Sequence, residues 1–258
     1  MTDASRVKVT SLGSGSQGNA TLVSHGETLL LIDCGYSCRE LESRMLARGV
    51  KPDSVTAVLV THEHGDHFNG VPAFSNKFKV PVYMSAGTSL HKKTDRLERR
   101  LLINSHQDFS IGELTVSPIA VPHDSREACQ FVIKTTERKI GILTDVGHIT
   151  PYIRKQYEDC DLLLLEFNHD LQLLLGGRYP ASLKNRVSGP LGHLSNAQAA
   201  DFLQEPITRK LTYLVAMHLS EENNQPSLVE ASVHASSLDP KVEFIIAQQQ
   251  QGFGWLCI

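Results

Sequence analysis

The chain has 258 residues, 41% of them hydrophobic, enough for one large domain or two small ones with a full core. Its formal net charge of −3 gives no global attraction to polyanions, so a nucleic-acid contact would need a local basic patch. Five irregularly spaced cysteines (Cys34, Cys38, Cys129, Cys160 and Cys257) suggest no disulfide framework, residues 1–11 lack a signal pattern, and no apolar run approaches a membrane span; a cytoplasmic protein with no membrane partner is expected.

Residues 7–12 read as the first strand. Gly13-Ser14-Gly15-Ser16-Gln17-Gly18 follows and formally matches the dinucleotide fingerprint G-x-G-x-x-G, with the acidic Asp33 further on. Context excludes that reading. A helix should open at the glycines, but residues 20–24 and 28–32 read as two strands around His25-Gly26-Glu27. Two readings stay open for this loop: a flexible turn, or backbone N–H groups that approach a phosphate together with Ser14, Ser16 and Asn19. Residues 39–48 have helical spacing, with Leu41, Met45 and Leu46 on one face and Gly49 as the stop.

Ala57-Val58-Leu59-Val60 is a buried strand that runs into Thr61-His62-Glu63-His64-Gly65-Asp66-His67. Histidine is the commonest metal ligand near neutral pH, and aspartate adds a hard anionic oxygen. A strand entering a glycine-broken loop turns His62 and His64 to one side and Asp66 and His67 to another, which suits two adjacent ions. A helical zincin motif is excluded, because Asp66 stands four residues after His62 and Gly65 disfavours the helix. Beyond it, residues 71–78 predict a helix and 80–84 a strand. The segment 91–100 is strongly basic; Lys92, Lys93, Arg96, Arg99 and Arg100 form either a solvated face or a polyanion-binding patch.

Further strands are expected at 114–121, 130–134, 139–144, 161–165, 211–217, 242–247 and 254–258. Helices are expected at 152–157, at 196–203 behind the N-cap Ser195, and at 228–236. Strand-rich halves, each with helices, and no linker fit an α/β fold: a four-layer αββα sandwich in one domain over residues 1–258.

The His62 to His67 stretch resembles the H-x-H-x-D-H signature of the metallo-β-lactamase superfamily. The family's further motifs have counterparts in order at strand ends: Asp33-Cys34-Gly35, Pro122-His123-Asp124, Asp145-Val146-Gly147 and His218-Leu219-Ser220. The resemblance implies two divalent metal ions, Zn²⁺ or Mn²⁺. The first would be held by His62, His64 and His123, and the second by Asp66, His67 and His218. Asp145 would bridge them beside a shared hydroxide, and Asp33 would orient a ligand from behind.

Gly192-His193-Leu194-Ser195-Asn196 and the strand-end Glu166 resemble the proton-donor pair of the phosphodiesterase branch of this superfamily. In that pair a strand-end carboxylate holds the histidine that protonates the leaving alkoxide. Ser195, Asn196 and the helix amides behind them would then hold a phosphate. The fullest resemblance is to the YycJ/WalJ branch, through residues 14–19, 166–170, 192–196 and His218-Leu219-Ser220-Glu221-Glu222-Asn223-Asn224; Phe167 stands where that branch more often has a small residue. This implies a DNA 5′→3′ exonuclease that takes single- or double-stranded DNA. Two alternatives remain: hydrolysis of a small (cyclic) phosphodiester or thioester on the same centre, and a non-catalytic metal-binding regulatory module.

Overall fold

A computed structural model describes residues 6–258. Residues 1–5, part of the stretch read as lacking a signal pattern, lie outside it. Among the described residues no helix is long and apolar enough to cross a membrane.

The strands are β1 Lys8–Gly13, β2 Ala20–His25, β3 Thr28–Ile32, β4 Ala57–Leu59, β5 Val82–Ser85, β6 Arg100–Ile103, β7 Phe109–Ile111, β8 Leu114–Ala120, β9 Cys129–Lys134, β10 Lys139–Leu143, β11 Leu162–Glu166, β12 Tyr213–Met217, β13 Glu243–Ile246 and β14 Phe253–Cys257. The helices are α1 Cys38–Ala47, α2 Gly65–Phe68, α3 Val71–Phe78, α4 Pro151–Gln156, α5 Leu171–Gly176, α6 Ala181–Val187, α7 Asn196–Phe202 and α8 Pro226–His234. Two sheets result, ordered β14-β1-β2-β3-β4-β5-β6 and β13-β12-β11-β10-β9-β8-β7.

Alternation along the strands builds the layers. In β11, Leu162 and Leu164 enter the core between the sheets, while Leu163 and Leu165 enter the outer core under the helices. That is why four leucines run without a break: both faces are covered. In β3, Leu30 and Ile32 face the other sheet, and Leu29 and Leu31 face Leu41 and Met45 of α1 and Phe74 of α3. The second sheet packs outward on Ile153, Ala199, Phe202, Val229 and Val233 of α4, α7 and α8. The four-layer αββα sandwich is therefore the fold. Phe167 fits without conflict, fully buried in the outer core under α4 and α7.

Several local expectations are corrected. Leu46 is 60% exposed, so the buried face of α1 is Leu41 and Met45. Gly65 does not prevent a helix: it opens the one-turn α2, where its N–H needs no intrahelical acceptor. The turn is too short to carry a zincin motif. The 91–100 segment contains the 3₁₀ turn Lys92–Arg96 and then enters β6, an edge strand whose exposed Leu101 and Leu102 give no alternating signal. α5 and α6 bury almost nothing, Leu174 alone in α5 and no residue in α6, so neither leaves an apolar period in the sequence.

The sheet centres are parallel where it matters. β3 pairs with β4, and β10, β11 and β12 pair in sequence, with Glu166 opposite Met217. The carboxyl ends of these strands deliver Asp33, Thr61, Asp145, Glu166 and His218 to one edge of the sandwich, as in open α/β sheets generally.

Candidate metal centre

Three of these strand-end residues leave their strands in the left-handed region: Asp33 at φ 62°, Asp145 at φ 51° and His218 at φ 55°. Non-glycine residues rarely adopt it, and such strain persists where the surroundings over-determine it. Here the surroundings are identifiable. Asp33 N donates to Leu59 O at 2.9 Å. Asp145 N donates to Glu166 Oε1 at 3.1 Å, and His218 N to Ser14 Oγ at 2.8 Å.

Asp33 does not face the centre. Its carboxylate accepts from Thr61 N and Thr61 Oγ1, both at 2.8 Å, and its Oδ2 lies 2.7 Å from His67 Nδ1. The His67 ring is thereby oriented with Nε2 inward, 3.1 Å from Asp145 Oδ2 and 3.4 Å from Asp66 Oδ2. His123 is turned in the same way: its Nδ1 lies 3.1 Å from Gly192 O and its Nε2 3.3 Å from His64 Nδ1. His62 places Nδ1 3.0 Å from Thr61 Oγ1 and leaves Nε2 buried without a hydrogen-bond partner. The His62–Asp66 loop can lie this close to the Asp33 turn because residue 35 is glycine; a Cβ there would stand 1.8 Å from Asp66 O.

Ligand-type atoms gather in four overlapping groups, each within 4.8 Å: His62, His64 and His123; His62, His67 and Asp145; Asp66, His67 and His218; and Asp145, Glu166, His193 and His218. The first and third are the two sets expected from the sequence. Asp145 lies between them, with Oδ1 2.9 Å from His218 Nδ1. The donor set of imidazole nitrogens and carboxylate oxygens suits Zn²⁺ or Mn²⁺. His62 Nε2 is buried without a hydrogen-bond partner, and a ring nitrogen of His62 lies within 4.8 Å of ligand atoms of His67 and Asp145, an arrangement that fits a cation.

The electrostatics point the same way. Burial disfavours charge on Asp145, yet the charges and hydrogen bonds of His218 and His67 hold its carboxyl well below the usual range. Burial would lower His218, but Asp145 and Glu166 push it up to about 10. His67 is likewise raised against its burial by Asp145, Asp66 and Asp33. Burial and the neighbouring imidazoles of His67, His123 and His64 hold His62 well below its ordinary value despite the opposing charge of Asp145, which favours the neutral form that ligates metals. The carboxylates make the second group the more negative of the two.

Glu166 and His193 meet as expected. Glu166 Oε1 lies 2.8 Å from His193 Nδ1, which leaves Nε2 of that ring as its other donor. The carboxylate also accepts from the backbone N–H groups of Asp145, Val146 and Leu194, so one buried side chain joins the Asp145 turn to the His193 turn. Burial opposes the charge of Glu166, but His193 draws its pKa down to about 2. Against the effect of its own burial, His193 is raised by Glu166 and Asp145. Its side chain remains 19% exposed beside His123 and His218, with ring centroids 5.3 Å from each.

The residues expected to contact a phosphate are mostly engaged within the fold. Asn19 Oδ1 accepts from Gly15 N at 2.8 Å, and its Nδ2 lies 3.0 Å from His67 Nε2. Ser14 Oγ carries the His218 amide. Ser14 N and Gln17 N are taken by Gln249, and Gly18 N by Gly15 O. The glycine loop thus braces the second group, and only Ser16 of the three side chains is exposed. Ser195 closes a capping box with Gln198, and Asn196 makes a reciprocal amide pair with Asn224, each bond 2.9 Å. Both side chains thus have partners within the fold. The basic segment borders α2: Lys93 Nζ reaches Asn69 Oδ1 at 2.5 Å, and His91 packs edge-on against Phe68. Lys92, Arg96, Arg99 and Arg100 are exposed, though Arg99 and Arg100 also reach the carbonyls of Lys79 and Ser89. Asp124, which carries no expected role, also reaches the centre: its Oδ1 lies 3.5 Å from His123 Nε2. Its position next to His123 was the available signal.

A sequence model described as the beta-lactamase superfamily domain matches residues 28–218. The chain is 32% identical over 232 residues to exodeoxyribonuclease YycJ of Bacillus anthracis, covering 86% of each chain. It is 27% identical over 232 residues to exodeoxyribonuclease WalJ of Streptococcus pneumoniae, covering 88% of this chain and 86% of the other. Among solved structures, the metallo-β-lactamase fold protein YhfI of Bacillus subtilis superposes with a TM-score of 0.76 at 18% identity, over 98% of this chain and 100% of that one.

Proposed function

The chain belongs to the metallo-β-lactamase superfamily, in the branch of the YycJ and WalJ exodeoxyribonucleases, and from that membership we propose that it is a two-metal phosphodiesterase that degrades DNA from the 5′ end. The observation that carries this reading is the 2.8 Å Glu166–His193 pair set against the Asp145 turn. A thioester or lactam hydrolase has no evident use for a carboxylate-held imidazolium beside its metals. A phosphodiester does, because its leaving alkoxide needs a proton.

In this reading His62, His64 and His123 would hold one ion and Asp66, His67 and His218 the other, with the Asp145 carboxylate available to both. When bound, the ions supply a water activated at neutral pH and positive charge opposite the phosphoryl oxygens. The protein's own residues do the rest. Asp33 and the Gly192 carbonyl fix the tautomers of His67 and His123. Glu166 keeps His193 protonated and aims Nε2 at the departing oxygen. The centre, the proton donor and the outer helices are proposed to act as one domain.

Asp33→Asn tests the bracing of the second ion. Loss of the charged acceptor behind His67 is expected to weaken metal retention about 10–100-fold in chelator competition. Unchanged retention of both ions would contradict the role given to Asp33. For the basic segment, replacing Lys92, Lys93, Arg96, Arg99 and Arg100 with glutamine is expected to weaken DNA binding and flatten its salt dependence, because fewer counterions are released. An unaltered affinity and salt slope would make this segment a solvated face only.

The reading as a whole is tested by incubating the metal-loaded protein with end-labelled single- and double-stranded DNA. Release of 5′ mononucleotides is expected. Hydrolysis of bis(p-nitrophenyl) phosphate without DNA cleavage would favour a small-diester enzyme, and metal binding without either activity a regulatory module.

A further inference from the structure

Asp124 and Arg186 form an ion pair at the rim of the centre that the proposed mechanism does not use. Asp124 Oδ1 lies 3.5 Å from His123 Nε2 and 3.9 Å from His64 Nε2, and is buried without a hydrogen-bond partner. Its Oδ2 accepts from Arg186 Nε. Arg186 stands near the end of α6, in the turn that carries His193: His193 N donates to Val187 O at 2.9 Å, and Gly189 N to Arg186 O at 3.3 Å. Gly192 closes that turn so tightly that a Cβ would lie 2.2 Å from Val187 O and 2.3 Å from Arg186 O. The backbone of Arg186 is therefore fixed by the His193 turn and its head by Asp124. Its side chain is still 55% exposed, and a guanidinium bonded through Nε keeps its terminal N–H groups as further donors.

A lone carboxylate this close to a phosphodiester site would repel the substrate. Paired with an oriented guanidinium, the rim becomes a site that can donate two N–H groups to the oxygens of a phosphate, the recognition at which arginine excels. Asp124 stands between the guanidinium and the histidines, which sets Arg186 one group away from the reacting atoms.

We propose that Arg186 binds a phosphate of the substrate strand adjacent to the scissile one, on the His64–His123 side, and so makes the site favour polynucleotides over isolated diesters. This rests on the phosphodiesterase reading above. The residue is a specificity determinant and not a catalytic one. The competing explanation is a purely structural tether between the His123 turn and α6.

The test compares wild type, Arg186→Gln and Arg186→Lys, all metal-loaded, on a single-stranded oligonucleotide and on thymidine 5′-p-nitrophenyl phosphate, which carries one phosphodiester. In Arg186→Gln the ratio of kcat/KM for the oligonucleotide to that for the small diester is expected to fall about tenfold, the worth of one charge-assisted hydrogen bond, mainly through a higher KM for the oligonucleotide. The slope of log kcat/KM against log salt should shrink by about 0.7 for a single strand. Arg186→Lys should recover the salt slope and part of the ratio, since it keeps the charge but not the fork. An unchanged ratio and slope, or equal losses on both substrates, would overturn the proposal and leave Arg186 as a tether. Wild-type protein that cleaves the small diester but not the oligonucleotide would overturn the nuclease reading itself.

Discussion

Replacing His193 with alanine is expected to slow DNA cleavage by about 10²–10⁴-fold, the usual worth of a general acid, while both metal ions stay bound. The expectation follows from the geometry. Nδ1 is taken by Glu166 at 2.8 Å, so the ring has one free donor, and it stands between His123 and His218. The defect should shrink on a p-nitrophenyl diester, whose leaving group departs without a proton. The pH profile gives a second readout. His193 works only while protonated, so turnover falls as pH rises through its pKa, and the Glu166 charge holds that pKa above the ordinary histidine value. Glu166→Gln should therefore move the alkaline limb to lower pH. Equal losses on DNA and on the activated diester, with an unshifted limb, would assign His193 to phosphate or metal binding instead.

Asp145→Ala should be more damaging, with a loss beyond the roughly 10⁴-fold ceiling of a proton-donor defect. Asp145 faces both His67 and His218, at 3.1 and 2.9 Å. Removing it takes away the carboxylate that lies within 4.8 Å of ligand atoms of His62 on one side and His218 on the other, the one proposed to link the two ions. Metal content should fall together with activity, and the more conservative Asp145→Asn should show the same coupled loss if folding is retained. A variant that keeps two tightly bound ions and loses only activity would show that Asp145 does not link them.

The two candidate ligand groups were legible because their members are metal-type residues that either follow an apolar strand directly or cluster in the histidine-rich segment after β4. His62 follows β4, and Asp145 and His218 follow β10 and β12. Strand periodicity and residue chemistry speak together there. The left-handed backbone at Asp33, Asp145 and His218 was not legible, since it is imposed by neighbouring strand ends and by the Ser14 and Glu166 side chains. The internal hydrogen bonds of the residues proposed to meet a phosphate were not legible for a related reason. Ser14, Asn19, Ser195 and Asn196 are polar residues near the centre in sequence, but buried polar groups must be paired, and the fold pairs them with its own backbone and side chains. α5, α6 and β6 escaped because they bury little and so have no periodic signature. Arg186 lies in one of these silent helices, which is why its approach to Asp124 emerges only in three dimensions.

The central claim is that two ions held around Asp145 make this chain a DNA phosphodiesterase. It is tested most directly by titrating Mn²⁺ or Zn²⁺ into the metal-stripped protein while following release of 5′ mononucleotides from an oligonucleotide labelled at both ends. The account predicts 5′-first release that saturates at two ions per chain. Full activity at one ion per chain, or two bound ions with no DNA cleavage, would contradict it.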